Sequence, residues 1–253
     1  MKVLRELRLI KFVPLTSSLS LRELKDSYFI TGYQGFGLVG YITTRYLARE
    51  LGLRKIGFIK TKYIPDVTMY TRDLDLIYPF EVYAGPVGNN KVVVVVNNAI
   101  PSNVEKTAYT EFIAKFAKRL GVKEVILVGG LDQEYRSSPE EKYRWIPLND
   151  PITKLEANIL EDRYIVGLLA LTMMFVKAYG LKGVVILPFT EPFKPDPRAS
   201  AVAVDVIGKI LGVEMRTDKL MEEAMILEAI EAEKEKFKRT VEELERAPRS
   251  TYM

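Results

Sequence analysis

Three times along the chain a helix-compatible stretch runs into a glycine, an aliphatic residue, a basic residue and then a short apolar run. These are Gly52-Leu53-Arg54 before Ile56 to Ile59, Gly121-Val122-Lys123 before Val125 to Val128, and Gly180-Leu181-Lys182 before Val184 to Leu187. Glycine at such a point supplies the left-handed residue that ends a helix, and the aliphatic side chain packs back on the last turn. Gly212-Val213 forms a fourth helix end of the same kind. Regular alternation of helix and strand is satisfied by a sheet with helices on its faces. Val92 to Val96 are five consecutive valines, and an apolar run without alternation marks a strand covered on both sides. The expected fold is therefore a three-layer α/β/α sandwich with a mostly parallel sheet.

Strands are expected near residues 27–31, 55–59, 78–84, 91–97, 124–129 and 183–187, and helices near 38–51, 103–120, 151–161, 165–179, 197–211 and 217–246. Ser102 followed by Glu105 reads as a capping box opening the second helix. Asp150-Pro151 and Asp196-Pro197 each pair an N-cap with a first-turn proline. The chain divides into an N-terminal edge-strand segment (1–25), an α/β core (26–215), a long C-terminal helix (216–247) and an exposed tail (248–253). In that last helix Leu227 and Val241 fall on one heptad position and Ile230 and Phe237 on another, an apolar seam suited to self-association into a homo-oligomer.

Composition closes many catalytic routes. The 253 residues include no cysteine and no histidine, which excludes thiol nucleophiles, thiolate metal sites and imidazole bases. Scarce glutamine beside abundant Lys, Arg and Glu leans toward the composition of proteins from hot environments. Residues 1–62 hold twelve Lys or Arg against four acids, yet Arg45, Arg49, Arg54 and Lys55 are spread along a helix and its exit. Such spacing suits a solvated face, and no nucleic-acid partner is expected. Arg5, Glu6, Arg8 and Lys11 interrupt every apolar run near the N-terminus, and the longest apolar span, Ile165 to Val176, is 12 residues. A bilayer crossing needs about 20, so a cytoplasmic protein without a membrane partner is expected.

The sharpest local motif is Gly35-Phe36-Gly37-Leu38-Val39-Gly40, a G-x-G-x-x-G directly after the strand Tyr28-Phe29-Ile30. In dinucleotide-binding proteins this spacing lets pyrophosphate approach the backbone, and an acid about 20 residues on holds the ribose. Here the second strand ends in Lys60-Thr61-Lys62, which points to a tight apolar turn and to no cofactor. Phosphate-loop and nucleophile-elbow spacings are absent from the sequence, Asp73 and Asp75 read as loop solvation, and no metal site is expected. Gly35, Phe36, Gly37, Asn98, Gly129, Gly130 and Glu191 should gather where strands end, the edge at which open α/β sheets bind ligands, with Glu191 a conceivable base.

Taken in order, several of these residues resemble the proteasome assembly chaperone 2 family: the Gly35 to Gly40 motif heading a helix, Ile64-Pro65, Asn98 to Pro101, Gly129-Gly130, Leu187-Pro188, Glu191-Pro192 and Asp196-Pro197-Arg198-Ala199. The resemblance spans roughly Asp26 to Leu244, and departs from the family between Glu161 and Gly167, where Arg163 and Tyr164 replace a glycine-rich stretch. It implies a phosphorylase-like fold without catalytic activity, and binding to proteasome α subunits or the α ring. It also implies a docking tail ending in a hydrophobic residue, tyrosine and any residue, here Thr251, Tyr252 and Met253. The alternative is a nucleoside-phosphorylase-like enzyme or ligand-binding protein using the strand-end crevice.

Overall fold

A computed structural model describes residues 10–15, 21–72 and 75–226. Among these residues nine strands form one sheet in the order β1-β3-β6-β7-β2-β8-β11-β10, with β9 beside β11. In chain order these are β1 (Lys11–Pro14), β2 (Tyr28–Gly32), β3 (Arg54–Lys60), β6 (Phe80–Val87), β7 (Asn90–Asn97), β8 (Glu124–Val128), β9 (Leu131–Asp132), β10 (Tyr143–Leu148) and β11 (Gly183–Thr190). A separate hairpin pairs β4 (Met69–Thr71) with β5 (Asp75–Ile77). The centre of the sheet, β7-β2-β8-β11, is parallel as expected. Its flanks are antiparallel: β6 folds back on β7, β3 on β6 and β1 on β3 at one side, and β10 on β11 at the other.

The valine run explains why both faces are covered. Val93 and Val95 belong to one apolar core, while Val92, Val94 and Val96 belong to the other, and all five are at most 1% exposed. Burying each is worth roughly 1.5–3 kcal/mol. Helices α2 (Lys106–Leu120) and α3 (Gly167–Ala178) cover the first face, and α1 (Val39–Glu50) and α4 (Pro197–Leu211) the second. The glycine stops act as expected, since Gly52, Gly121, Gly180 and Gly212 all have φ between 60° and 70°. Asp196 caps α4 by accepting the Ala199 N–H at 2.8 Å, with Pro197 in the first turn. A further helix spans 218–226, anchored by the buried Leu220 and Ala224 and by the Tyr46 hydroxyl donating to the Arg216 carbonyl.

Two local expectations are overturned. No helix forms over 151–161. The buried Glu124 carboxylate accepts the Ile152 and Thr153 amides and the Thr153 hydroxyl, while Asn149 and Asp150 take positive φ. Beyond them 157–160 runs beside β10, with Leu160 N–H on the Trp145 carbonyl and Trp145 Nε1 donating to Ala157. The capping box at Ser102 also fails, because Glu105 turns away to accept the Lys62 and Tyr63 amides at 2.8 and 3.1 Å, and α2 starts without a side-chain cap.

The carboxyl end of the central strands is locked by a buried polar cluster. Asn97 Nδ2 donates to Thr31 Oγ1 and to the Gly32 carbonyl, and Asn97 Oδ1 accepts the Tyr109 hydroxyl at 2.6 Å. Tyr109 is wholly buried, with its ring 4.6 Å from that of Phe80. Tyr109→Phe leaves the Asn97 oxygen unpaired in an apolar setting and should cost about 1–3 kcal/mol. Denaturant titration checks this, with the slope unchanged and the midpoint lowered.

Candidate functional site

From β2 the chain passes through Tyr33 and Gln34, makes one turn of 3-10 helix over Phe36–Leu38 and enters α1 at Val39. Gly37 and Leu38 have φ of 60° and 50°, so two successive left-handed residues turn the chain. Gly37 must lack a side chain, since a Cβ would fall 2.1 Å from Thr190 Oγ1. The polar groups of this turn are used within the protein. Gly37 N–H donates to the Pro192 carbonyl, Leu38 N–H to that of Gly35, and the Gly37 carbonyl accepts from Asp196 N–H at 2.8 Å. These bonds to Pro192 and Asp196 tie the loops after β2 and β11 together, and Thr190 braces the second loop by donating to Asp196 Oδ2 at 2.8 Å.

Gly40 brings α1 onto the sheet backbone to backbone. A Cβ there would lie 2.5 Å from the Val128 carbonyl and 2.7 Å from the Tyr33 nitrogen, whereas one at Gly35 would meet nothing within 4 Å. A dinucleotide cradle needs open amides at the helix start and a ribose-binding acid on the neighbouring strand. Here the Gly37 and Leu38 amides are bonded internally, and β3, which ends at Lys60, is separated from β2 by β6 and β7. The strands that do flank β2 end in Asn97 and Val128. The glycine motif is a packing device.

A crevice opens where expected at the strand ends. The connection leaving β2 runs to α1 on one face, that leaving β8 passes through β9 and β10 before reaching α3 on the other, and at these strand ends lies a cavity of about 390 Å³. Gly35, Phe36, Gly129 and Gly130 line it. Gly37 sits beneath, against Thr190. Asn98 stands behind, its carbonyl accepting from Gln34 Nε2 and its amide donating to Tyr78 and Glu81. Glu191 is exposed outside the lining, 3.5 Å from Lys194, and so is not placed to act as a base in the crevice.

The greater part of the lining was not foreseen: Tyr33, Ile100, Lys106, Tyr135 and the stretch from Tyr164 to Leu169. These come from loops and helix starts far apart in sequence. Thr172 donates its hydroxyl to the Leu168 carbonyl, so the bond between Tyr33 and Thr172, at 2.7 Å, must be donated by Tyr33. Burial holds that phenol protonated by raising its pKa far above the ordinary value. Tyr33 therefore offers the crevice a ring and no reactive oxygen.

Beyond Tyr135 the loop is fastened by Glu141, which accepts from Arg144 Nε, Ser137 N–H and Asn158 Nδ2. The Arg144 guanidinium is the chief cause that lowers the Glu141 pKa to about 2. Since the folded value is depressed, this clamp contributes fully above the ordinary carboxylate range and is lost as pH falls toward about 2. Groups of three or more metal-ligating side chains are absent among the described residues. Among those residues no helix is long and apolar enough to cross a membrane. The tail residues Thr251, Tyr252 and Met253 and the seam residues Leu227, Ile230, Phe237 and Val241 lie outside the described residues.

The packing role of the glycines can be checked by substitution. Gly40→Ala drives a methyl into the Val128 and Tyr33 backbone and should cost about 1–3 kcal/mol, whereas Gly35→Ala should stay within about 0.5 kcal/mol. Thermal melts of the two variants separate these outcomes, and NAD added at millimolar concentration should shift neither.

Comparison with known proteins agrees with this architecture. The family model described as PAC2 family matches residues 29–236. The crystal structure of Pyrococcus furiosus PbaA, described as an archaeal homolog of proteasome-assembly chaperone, superposes with a TM-score of 0.72. It shares 23% identity, covering 96% of this chain and 99% of that one. Pyrococcus furiosus PbaB, described as an archaeal proteasome activator, gives a TM-score of 0.71 and 19% identity over 89% of this chain and 98% of its own. An uncharacterized protein of Methanocaldococcus jannaschii is 24% identical over 210 residues, 81% of this chain and 84% of that protein. With a match that covers most of its length and an α/β sheet of the same architecture, the chain belongs to the PAC2 family.

Proposed function

We propose that this protein is a non-enzymatic proteasome assembly chaperone or proteasome-binding adaptor, a homo-oligomer that docks on α subunits partly through its C-terminal tail. The observation that carries the reading is the extent of the family match, residues 29–236, together with a body that follows PbaA and PbaB over nearly their whole lengths. The site chemistry is consistent with it. Among the described residues no Asp or Glu lines the crevice, and its buried tyrosine hydroxyl is already committed, which supports a role other than acid–base catalysis there.

Self-association is supported at the last helical residues described. Leu220 and Ala224 are buried against the body, whereas Met225 and Ile226 are 58% and 59% exposed just before Leu227. Apolar side chains leaving the body in this way gain burial from a second copy. The tail supplies a separate anchor, because an aromatic ring with a hydroxyl fills an inter-subunit pocket and bonds its rim.

Two outcomes follow. Deleting 251–253, or Tyr252→Ala, should leave the melting temperature and oligomer size unchanged while weakening binding to a purified α ring at least about tenfold, roughly 1.4 kcal/mol; surface plasmon resonance reads this directly. Equal binding by the truncated protein would place recognition on the body. Phe237→Glu should reduce the mass measured by light scattering toward that of one chain, with the body's melting temperature held.

A further inference from the structure

We infer that the crevice between β2 and β8 binds a small monocarboxylic acid with an aromatic or branched apolar body. This goes beyond α-ring binding and does not depend on it. The cavity, about 390 Å³, lies near the lower end of the range for pockets that enclose organic ligands. Its walls are chiefly apolar, from Phe36, Ile100, Leu168 and the ring of Tyr33, whose hydroxyl is engaged elsewhere.

The charge in this apolar setting is one-sided. Among the described residues Lys106 is the single charged residue of the lining, and no acid lines the cavity with it. Among the described residues its ammonium has neither an ion pair nor a hydrogen bond. Helix α3, whose first residues Gly167 to Leu169 also line the cavity, starts without a side-chain cap, and its amide end adds positive potential to that of the lysine.

A ligand that covers Lys106 without supplying an anion strips water from an unpaired charge, which is costly. A carboxylate pairs with the ammonium while its apolar body fills the remaining space. A phosphate ester would bring close to two charges to a site with one lysine. The mouth extends the same chemistry: Tyr164 is 100% exposed at the rim, and the Arg163 guanidinium stacks 5.0 Å from the ring of Tyr135.

Calorimetry on the full chain with phenylpropanoate, phenylpropanamide and phenylpropylamine tests this assignment. The acid should bind one equivalent per chain, with the amide and the amine at least about tenfold weaker. Lys106→Met should erase the preference for the acid and Lys106→Arg should keep it. Tyr164→Ala, at a position too exposed to affect folding, should weaken acid and amide alike. Equal affinities of acid and amide for the unmodified protein, or undiminished acid binding by Lys106→Met, would overturn the inference. Tighter binding of N-acetyl-leucyl-phenylalanine than of phenylpropanoate would overturn it too, by assigning the site to a peptide end. Binding of Lys106→Met to the α ring should be unchanged, which separates the failure of this site from that of the docking tail.

Discussion

The contact on which the crevice depends is the approach of helix α1 to the sheet with no side chain between them. Gly40 rests on the Val128 carbonyl and the Tyr33 backbone, and Gly32 faces Gly40 at a distance that leaves no room for a Cβ. Because α1 lies so low, the chain leaving β2 has only a few residues in which to turn, and it does so through left-handed Gly37 and Leu38. That turn is bonded to the loop after β11 through Pro192 and Asp196. The helix contact, the turn and the neighbouring loop thus fix one another, and the residues lining the crevice are held on rigid supports.

Buried polar groups finish what the apolar cores begin. The valine and isoleucine strands define which faces are covered, but hydrophobic burial is non-directional and does not choose among nearby packings. Asn97 and Tyr109 set the height of α2 against β2 and β7. Glu124 fixes the segment that follows β10, and Glu81, bonded to Lys55, Tyr83 and Asn98, fixes the one before β6 by accepting the Tyr78 N–H. A buried carboxylate with several donors is costly to disturb, since removing one partner leaves a charge without compensation.

The layers, the parallel centre and all four glycine stops were legible in the sequence because they rest on local rules: a left-handed residue ends a helix, and an apolar run without alternation needs cover on both sides. What was hidden rests on distant partners. The segment 151–161 has the proline and aspartate of a helix start, yet Glu124 from another strand takes its amides. Ser102 and Glu105 have capping-box spacing, but the glutamate finds Lys62 and Tyr63 instead. The crevice was foreseen at its glycines, because strand ends can be read from the sequence. Lys106, Tyr33 and Tyr135 were missed because nothing local reveals which loop residues converge.

A body tied firmly at its strand ends suits the proposed role of a protein that acts by holding others. The family match and the architecture shared with PbaA and PbaB support that reading, and α-subunit docking is its central claim. Native mass spectrometry of the full chain mixed with purified α subunits from the same source tests it most directly. The account predicts ions that contain both proteins in a fixed ratio. Spectra holding only separate assemblies of each, across the concentrations at which α rings form, would contradict it.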